Sequence, residues 1–361
     1  AGGGVPWKLD LLPSATETVG PAAVSAGLRF AAWVGSSRAE PADLWRTDLG
    51  TGSEAIVERP NAAAVARWKL STPTDWSFEG PGGETIDAWW YAPTVHVDRG
   101  KTPLIVYYYG GATPTVRRFS GTHQVFAGNG YAVLVLNPRG ALGYGDRFAD
   151  EHVDDWGPKA SADILAGVDA FVASHPEVDG TRVGIYGGSY GGFMTEYLLT
   201  RSDRFAAAVA MYGISDIASY WGAGTWGYTY GDTALAGSFP WNARDLFSGH
   251  SPLYAADRIT APLLLLHGLA DVNVPEGESE QLYTALRTLG RQVELVTFPG
   301  EDHGIAGSWT NWIGHRRMML EFFDRVLRHQ PGAWNERWGL TQPPAEPGEG
   351  GTAGAKEAER P

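Results

Sequence analysis

Short apolar runs alternate with amphipathic segments from about Trp68 to Arg328, and this alternation predicts strands interleaved with helices. Most of the apolar runs are continuous, which is typical of strands that are buried on both faces of a sheet. The pattern therefore predicts a mostly parallel central sheet covered by helices on both faces. The predicted strands lie in TIDAWWYAP, TPLIVYYYG, YAVLVLNPRG, RVGIYG, FAAAVAMYG, APLLLLHG and QVELVTFPG, and the predicted helices span residues 160–174, 190–201, 276–289 and 309–329.

The two ends of the chain show other patterns. LRFAAWVGSS and DLWRTDLGTGSEAIVE predict a blade-like antiparallel β unit with turns at residues 35–37 and 50–52. A lone ribbon is marginally stable, so this unit either packs on the main domain or belongs to a longer β region. The C-terminal residues are rich in Pro, Gly, Ala and Glu, which predicts disorder. We therefore expect a β-rich segment over 1–67, a main domain over 68–335 and a tail over 336–361.

Composition excludes several classes of function. With 361 residues, 43% of them hydrophobic, the chain can bury a sizeable core. A net charge of -13 and scattered basic residues argue against a nucleic-acid partner. The absence of cysteine excludes disulfides, thiolate catalysis and zinc-thiolate sites. No apolar run approaches the roughly 18 residues of a membrane span, so we expect a soluble protein.

The compartment stays open at this stage. The sequence begins at Ala1 instead of Met, so we expect processing or trimming, and the lack of a signal peptide does not argue against export. Arginine strongly outnumbers lysine, which hints at a GC-rich bacterial genome. The bacterial cytoplasm and an exported location, either periplasmic or secreted, are both consistent with the sequence.

One glycine-rich stretch, GGSYGG, carries a candidate nucleophile. Ser189 is flanked by glycines in the pattern G-x-S-x-G, between the predicted strand RVGIY and the predicted helix YGGFMTEYLLTR. An ordinary glycine turn is the alternative, but a strand-turn-helix context is the one in which this pattern displays a nucleophilic serine. The motif predicts an α/β-hydrolase fold with Ser189 as the nucleophile.

A serine hydroxyl needs a neighbouring base and a carboxylate that orients the base. In the expected chain order of Ser, acid and His, the acid follows a late strand and the histidine follows the next one. Asp271 follows APLLLLHG, and His303 follows QVELVTFPG. His267 lies within a strand end, where a structural hydrogen bond is the better interpretation. Asp302 is interpreted as a solvated loop residue, so we predict the triad Ser189, Asp271 and His303.

The oxyanion of an acyl-transfer intermediate needs hydrogen-bond donors aimed at it. One predicted donor is the backbone N–H of Tyr190, the residue after the nucleophile. The second must come from the loop after an early strand, where the Tyr109 hydroxyl and the N–H groups of Gly110 and Gly111 are candidates. Two of the three tyrosines in this strand are interpreted as strand aromatics, and Tyr109 is the one at the strand end.

Taken together, the segments over residues 68–328 resemble the catalytic domain of the prolyl oligopeptidase family of serine peptidases. This family includes dipeptidyl peptidases and acylaminoacyl peptidases. The combination is far more specific than any one motif. The resemblance implies an α/β-hydrolase fold, the triad above and an oxyanion hydrogen bond from the Tyr109 hydroxyl. The matching segments are YYYGG, NPRGALGYGDRF, DWG, YGGSYGGFMT, SPLYAADRITAPLLLLHGLADVNVP and FPGEDHG.

The resemblance also implies a substrate-binding region. Asn273 matches the position whose side chain holds a substrate carbonyl in dipeptidyl peptidases, with a turn residue as the alternative. The pocket for the residue before the cleaved bond is expected from the aromatic segment after FAAAVAMYG, although core or lid packing is an alternative for each of its aromatics. The predicted substrate-binding residues are Asn273, Val274, Tyr212, Tyr220, Trp221 and Trp226.

The chain departs from the family in one large respect. Family members carry an N-terminal β-propeller that filters substrates by size, and here only a blade-like segment precedes the hydrolase region. The chain is then either a fragment of a longer enzyme or an enzyme that works without the filter. A separate propeller-containing chain and a homo-oligomer are the partner arrangements left open. Exopeptidase specificity is open too, because no acidic propeller segment that binds a free amino terminus is recognisable.

The leading functional hypothesis is a serine peptidase that cleaves short peptides through an acyl-enzyme on Ser189. No cofactor or metal is expected. A carboxylesterase that uses the same triad is the first alternative, because a triad alone does not separate amides from esters. A catalytically silent binding module is the second alternative, and the complete triad argues against it.

Overall fold

The structure, a computed structural model, describes residues 16–97 and 100–338. Its strands form two sheets in the described part of the chain, one of four strands and one of eight. The four-stranded antiparallel sheet contains β1 (Thr18–Val24), β2 (Phe30–Ser36), β3 (Asp43–Asp48) and β4 (Glu54–Glu58). The eight-stranded sheet contains β5 (Pro73–Glu79), β6 (Thr85–Tyr91), β7 (Thr102–Tyr108), β8 (Ala132–Asn137), β9 (Val178–Gly188), β10 (Ala207–Met211), β11 (Leu263–Gly268) and β12 (Val293–Phe298).

The large sheet is mostly parallel, as the sequence pattern predicts. Its strand order is β12-β11-β10-β9-β7-β8-β6-β5. The six strands from β12 to β8 pair in parallel, whereas β6 and β5 are antiparallel to their neighbours. The chain order reverses at β7, which has β8 on one side and β9 on the other. In an open sheet of this kind, such a reversal opens a crevice at the carboxyl ends of the strands.

The central strands are buried on both faces. Alternate side chains of β7 and β8 point into two separate hydrophobic cores, with Val106 and Leu134 in one and Ile105 and Val133 in the other. This two-sided burial explains why the strands are continuous apolar runs in the sequence. The helices that cover the two faces therefore complete two cores around one rigid sheet.

The helices that were predicted from amphipathic segments of the sequence agree closely with observed helices. The predicted helices 160–174, 190–201, 276–289 and 309–329 correspond to observed helices over Pro158–Ser174, Tyr190–Arg201, Gly277–Thr288 and Trp309–Leu327, with ends that differ by at most two residues. A 3₁₀ helix spans Pro252–Arg258. The α-helices are α1 (Ala62–Val65), α2 (Gly121–Gly128), α3 (Asp146–Asp150), α4 (Pro158–Ser174), α5 (Tyr190–Arg201), α6 (Ile217–Ala223), α7 (Gly227–Ala234), α8 (Arg244–Gly249), α9 (Gly277–Thr288), α10 (Trp309–Leu327) and α11 (Gly332–Trp338).

The small sheet is joined to the large one through Arg38. Its guanidinium group donates hydrogen bonds to Glu17, ahead of β1, and to Asp75 on β5 of the large sheet. It also lies over the Trp89 ring, 5.4 Å from the ring centroid. A cation that bridges two carboxylates and covers an aromatic ring fixes the position of the small sheet on the hydrolase region.

The predicted tail begins within α11, which extends to Trp338, and the remainder of that prediction lies outside the described residues. Over the part that the structure describes, none of the helices has both the length and the apolar character that a membrane crossing would require.

Candidate active site

Five side chains follow the carboxyl ends of neighbouring strands in the large sheet. Tyr109 follows β7, Ser189 follows β9, Tyr212 follows β10, Asp271 follows β11 and His303 follows β12. Parallel strands end at the same edge of a sheet, so these residues are brought to one crevice although they span most of the domain sequence. The crevice lies at the reversal of strand order between β7 and β9.

Ser189 lies on a tight turn between β9 and α5. Its backbone has φ 59° and ψ -123°, a left-handed conformation that is unfavourable for a residue with a side chain. Its N–H donates to the carbonyl of Met211 at 2.9 Å, which ties the turn to β10. A methyl group on Gly187 would lie 2.3 Å from the carbonyl oxygen of Gly191, and one on Gly192 would lie 2.7 Å from that of Met211. Glycine is therefore required at both positions, which explains the composition of this stretch.

The predicted acid and base are in direct contact. His303 Nδ1 lies 2.7 Å from Asp271 Oδ2, and the Asp271 side chain is fully buried. The other oxygen, Oδ1, accepts the N–H groups of Asn273 at 2.9 Å and Val274 at 3.0 Å. Since the ionised carboxylate accepts the Nδ1–H, the Nε2 of His303 is the unprotonated nitrogen that can act as a base.

His267 supports the same carboxylate from inside the core. Its ring is fully buried, and its Nε2 lies 2.9 Å from the Val274 carbonyl and 3.4 Å from Asp271 Oδ2. Its Nδ1 accepts from the Ser279 hydroxyl at 2.7 Å. Burial of Asp271 opposes its ionisation, but hydrogen bonds from His267, His303 and the Val274 N–H hold the pKa of Asp271 well below its usual range. The predicted structural hydrogen bond of His267 is thus present.

Tyr212 and Tyr109 complete the surroundings of Ser189. The Tyr212 ring lies 4.6 Å from the His303 ring, measured between centroids, and packs against Gly188. Burial raises the pKa of the Tyr109 hydroxyl, while hydrogen bonding to the Ser189 side chain and to the Tyr190 N–H opposes that rise. The pKa of the Tyr109 hydroxyl stays above its usual range, so this hydroxyl is protonated at neutral pH and lies beside Ser189.

Comparison with known proteins agrees with this geometry. The family model described as the prolyl oligopeptidase family matches residues 117–330, which is more than half of the chain. The chain belongs to the prolyl oligopeptidase family. Among curated relatives, the uncharacterized peptidase YuxL of Bacillus subtilis is 32% identical over 282 residues, covering 78% of this chain and 42% of that protein. A dipeptidyl-peptidase 5 of Porphyromonas gingivalis is 27% identical over 297 residues, covering 80% of this chain and 43% of the relative.

Solved structures of the family confirm the α/β-hydrolase fold. The acylaminoacyl peptidase of Pyrococcus horikoshii superposes with a TM-score of 0.78 at 30% identity, covering 83% of this chain and 48% of that one. A puromycin-hydrolyzing peptidase of Mycobacterium tuberculosis has a TM-score of 0.75 at 29% identity, covering 83% and 46%. This member of the prolyl oligopeptidase family thus spans less than half of the length of these relatives.

The predicted substrate-binding residues lie in different environments. Asn273 is half-buried beside the acid, and no hydrogen bond from its carboxamide occurs within the described residues. Val274 is only 1% exposed, and its main contribution is the backbone N–H that binds Asp271. Tyr220 is buried in the core, Trp221 is half-buried and Trp226 is 55% exposed. Tyr212 lies between the nucleophile turn and His303, which is a supporting position.

One group of residues near the nucleophile has no counterpart in the sequence predictions. The buried Tyr190 ring packs edge-on against His152 at 5.0 Å and Trp156 at 5.2 Å. His152 Nε2 is hydrogen-bonded to the Tyr230 hydroxyl, and burial lowers the pKa of His152 to about 4. These aromatic residues come from three separate segments, so only the folded chain reveals that they surround the residue after the nucleophile. In the described part of the chain, no group of three or more His, Asp or Glu side chains is arranged to hold a metal ion.

Proposed function

We propose that this chain is a serine peptidase that hydrolyses short peptides through an acyl-enzyme on Ser189. The observation that carries this proposal is the contact of Asp271 with His303 Nδ1, at the same sheet edge as a strained serine turn. A buried carboxylate that fixes one histidine tautomer is the arrangement that a serine nucleophile requires. Family membership supports the reaction class.

In the acylation step, the Ser189 oxygen attacks the peptide carbonyl as His303 Nε2 removes the hydroxyl proton. Asp271 holds the imidazole and stabilises its charged form. The C–N bond then breaks, and His303 returns the proton to the leaving amine. A water molecule attacks the acyl-enzyme with His303 again as the base, which releases the acid product and regenerates Ser189.

The negative charge of each tetrahedral intermediate needs donors that are already in place. The Tyr109 hydroxyl and the Tyr190 N–H are the proposed pair, because the Tyr109 hydroxyl is in hydrogen-bonding contact with both the Ser189 side chain and the Tyr190 N–H. The His152, Trp156 and Tyr230 cluster packs around the Tyr190 ring and limits its movement. Donors that need no rearrangement at the moment of reaction contribute most to rate.

The proposed substrate has an apolar residue before the cleaved bond. Aromatic side chains dominate the segment after β10, and Thr225 of this segment donates its N–H to the Val272 carbonyl, next to Asp271, at 2.9 Å. A methyl group on Gly224 of the same segment would lie 2.7 Å from the Asn273 carbonyl oxygen, so the aromatic region lies next to the proposed peptide anchor. One solved relative, an acylaminoacyl peptidase at 31% identity, is described in complex with Z-Gly-Gly-Phe-chloromethyl ketone, a peptide compound ending in phenylalanine.

A panel of chromogenic substrates tests the proposal. The purified chain and its Ser189→Ala variant are assayed with dipeptide anilides, free and N-acylated, that carry Pro, Ala, Phe or Glu before the bond. Short acyl esters complete the panel. We expect anilide hydrolysis with Phe preferred over Glu, and a loss of at least about 10⁴-fold in the variant. Asn273→Ala is expected to raise KM for the peptides more than for the esters.

The panel also separates the alternatives. Hydrolysis of esters alone would favour a carboxylesterase, and activity that is equal in the Ser189→Ala variant would contradict both serine enzymes. A folded chain that cleaves none of the compounds would favour the silent binding module.

The partner and the compartment stay predictions as well. The partner arrangements are a separate propeller-containing chain and a homo-oligomer, and light scattering of the purified chain distinguishes a monomer from an oligomer. The bacterial cytoplasm and an exported location are the proposed compartments, and fractionation of the source cells decides between them.

A further inference from the structure

Glu196 is a buried carboxyl group without a hydrogen-bond partner. It lies on α5, two helical turns after Ser189, and its exposed fraction is 0%. Neither carboxyl oxygen has a partner in the described part of the chain. An ionised carboxylate in such a position would cost several kcal/mol, because it gives up hydration and gains nothing in exchange.

A second buried carboxyl group, Glu278 on α9, faces Glu196 and has the opposite surroundings. Its side chain accepts hydrogen bonds from the N–H groups of Ser215 at 3.0 Å and Asp216 at 2.9 Å. It also accepts from the Ser219 hydroxyl and, at 3.0 Å, from the Gln281 amide. Burial and the Asp216 charge raise the pKa of Glu278, but these donors stabilise the ionised form and oppose that rise. Glu196 has no such donors, so of the two carboxyl groups Glu278 is the one that carries the charge.

Glu196 also contacts the backbone that leads to the predicted triad. A methyl group on Gly213 would lie 2.5 Å from Glu196 Oε1, and one on Gly192 would lie 2.7 Å from the Gly213 Cα. The first two turns of α5 therefore pack closely against Gly213, the residue that directly follows Tyr212. Tyr212 has a strained φ of 39°, and its ring packs on His303. A change of charge at Glu196 thus acts on the segment that supports the histidine.

We propose that Glu196 is a positioning residue kept as a neutral carboxylic acid, which packs the nucleophile helix on Gly213 and thereby holds Tyr212 against His303. Its effect on catalysis rests on the function proposed above, whereas its protonation state does not. Burial, followed by the repulsion from Glu278, raises the pKa of Glu196 well above its usual range. This direction agrees with the assignment made from the donors.

The groups that surround this pair leave no other source of charge compensation. From α9, Glu278 faces Glu196, and Asp216 before α6 lies beside Glu278. From the 3₁₀ helix, the Tyr254 hydroxyl donates to Asp216. In the described residues of β9, β10 and α4, which also pack on α5, no charged side chain acts on Glu196. Protonation of Glu196 therefore avoids a further buried negative charge beside Glu278.

The pH dependence of unfolding tests the protonation state. An acid whose pKa is higher in the folded protein than in the unfolded chain destabilises the fold as pH rises above the unfolded value, near 4.5 for Glu196. Glu196→Gln removes this effect. We expect the unfolding equilibrium constant of the wild type, divided by that of the variant, to grow about tenfold per pH unit between pH 5.5 and 8. Urea denaturation of both proteins at several pH values measures this ratio.

A matched control is Glu321→Gln, because Glu321 is also buried but accepts from Arg337 and Trp338. Its ratio is expected to stay constant over the same pH range. If the Glu196→Gln ratio also stays constant, Glu196 is ionised in the folded protein and the proposal is wrong. This readout needs no activity, so its failure is distinct from a failure of the proposed peptidase function.

The positioning role has a second test on the purified enzyme. We expect Glu196→Ala to lower kcat on the best anilide by at least tenfold with little change in KM, and Glu196→Gln to restore most of that loss. Equal kcat values for the Ala variant and the wild type would contradict the positioning role. Circular dichroism of the Ala variant shows whether its fall in kcat comes from misfolding. In that case the Gln variant tests the positioning role, because this role requires Glu196→Gln to be active.

Discussion

Asp271 and Glu196 are two buried carboxyl groups near the crevice of the candidate triad, and their surroundings are opposite. Asp271 receives hydrogen bonds from His303 and from two backbone N–H groups, whereas both oxygens of Glu196 lack a partner in the described residues. The pKa of Asp271 is lowered in spite of its burial, and the pKa of Glu196 is raised by burial and by Glu278. Burial alone therefore does not decide ionisation; the number of donors does.

The difference also separates two ways in which a fold can use a buried carboxyl group. In the loop after β11, the turn of residues 271–274 supplies backbone N–H donors to Asp271, and the charged Asp271 carboxylate can orient a base. At α5, Glu196 packs against Gly213 and has no donor in the described residues, so we propose that the neutral group serves packing. Replacement of each carboxyl group by its amide should accordingly have very different effects on activity and stability at Asp271 and at Glu196.

The largest effect is expected from Asp271→Asn. An amide at this position can donate to His303 Nδ1, which favours the tautomer with its proton on Nε2 and removes the base proposed for Ser189. We expect kcat/KM for the best anilide to fall about 10⁴-fold, the scale known for such a change in a Ser-His-Asp triad. Steady-state kinetics at pH 7.5 measures it.

Asp302→Asn is the control for this comparison. Asp302 is adjacent to His303 and accepts the His303 backbone N–H, and the Asp302 side chain is exposed. We expect a change below about threefold. If Asp302→Asn costs as much as Asp271→Asn, the loop as a whole is fragile and the special role of the buried acid is contradicted.

A smaller effect is expected from His267→Leu, which removes the donor beneath Asp271. The variant leaves the Val274 carbonyl and the Ser279 hydroxyl without their partner in a buried site, at a cost of about 1–3 kcal/mol in the free energy of unfolding. It also weakens the support of Asp271, so we expect kcat/KM to fall about tenfold. Denaturant titration and kinetics measure the two effects.

His123→Phe provides the contrast, because His123 is another buried histidine but its Nδ1 has no partner among the described residues. Its ring packs among Tyr91, Tyr107 and Tyr186. We expect its replacement by an apolar ring to leave kcat/KM within about twofold of the wild type. A similar loss of activity in both variants would mean that the contact of His267 with Asp271 is unimportant.

Much of the large sheet could be predicted because its strands are buried on both faces and so are continuous apolar runs. The pattern fails where burial is slight. The strand β1 is exposed along most of its length, and β5 lies at the sheet edge with only partial burial, so neither shows a clear apolar signal. The helices α6, α7 and α8 lie in a segment rich in glycine and aromatic residues, whose spacing has no helical period.

The candidate triad could be located because its members follow successive strand ends, a feature that belongs to topology and is visible in order along the chain. The structure brings Asp271 and His303 into contact, and their catalytic roles stay predictions. Nothing in the sequence predicts that the carboxyl oxygens of Glu196 lack a hydrogen-bond partner in the described residues. In the sequence it is one acidic residue in a helix, and its surroundings depend on Gly213 and Glu278, which lie in distant segments.

The last prediction compares Asp271 with Glu196 by the pH dependence of the free energy of unfolding, which should have opposite signs for the two groups. A carboxyl group with a lowered pKa in the folded state stabilises the protein above its unfolded value, near 3.8 for Asp271, and this contribution is lost as the pH falls below that value. Below pH 4 the free energy of unfolding of the wild type falls as the pH falls. Asp271→Asn should reduce the slope of this fall by about 1.4 kcal/mol per pH unit, the value for one proton. Glu196→Gln should leave the acid decline unchanged and act only on the side above pH 4.5. Unfolding free energies from pH 2.5 to 8 for the wild type and both variants measure these slopes, and slopes of the same sign would contradict the opposite ionisation states of the two groups.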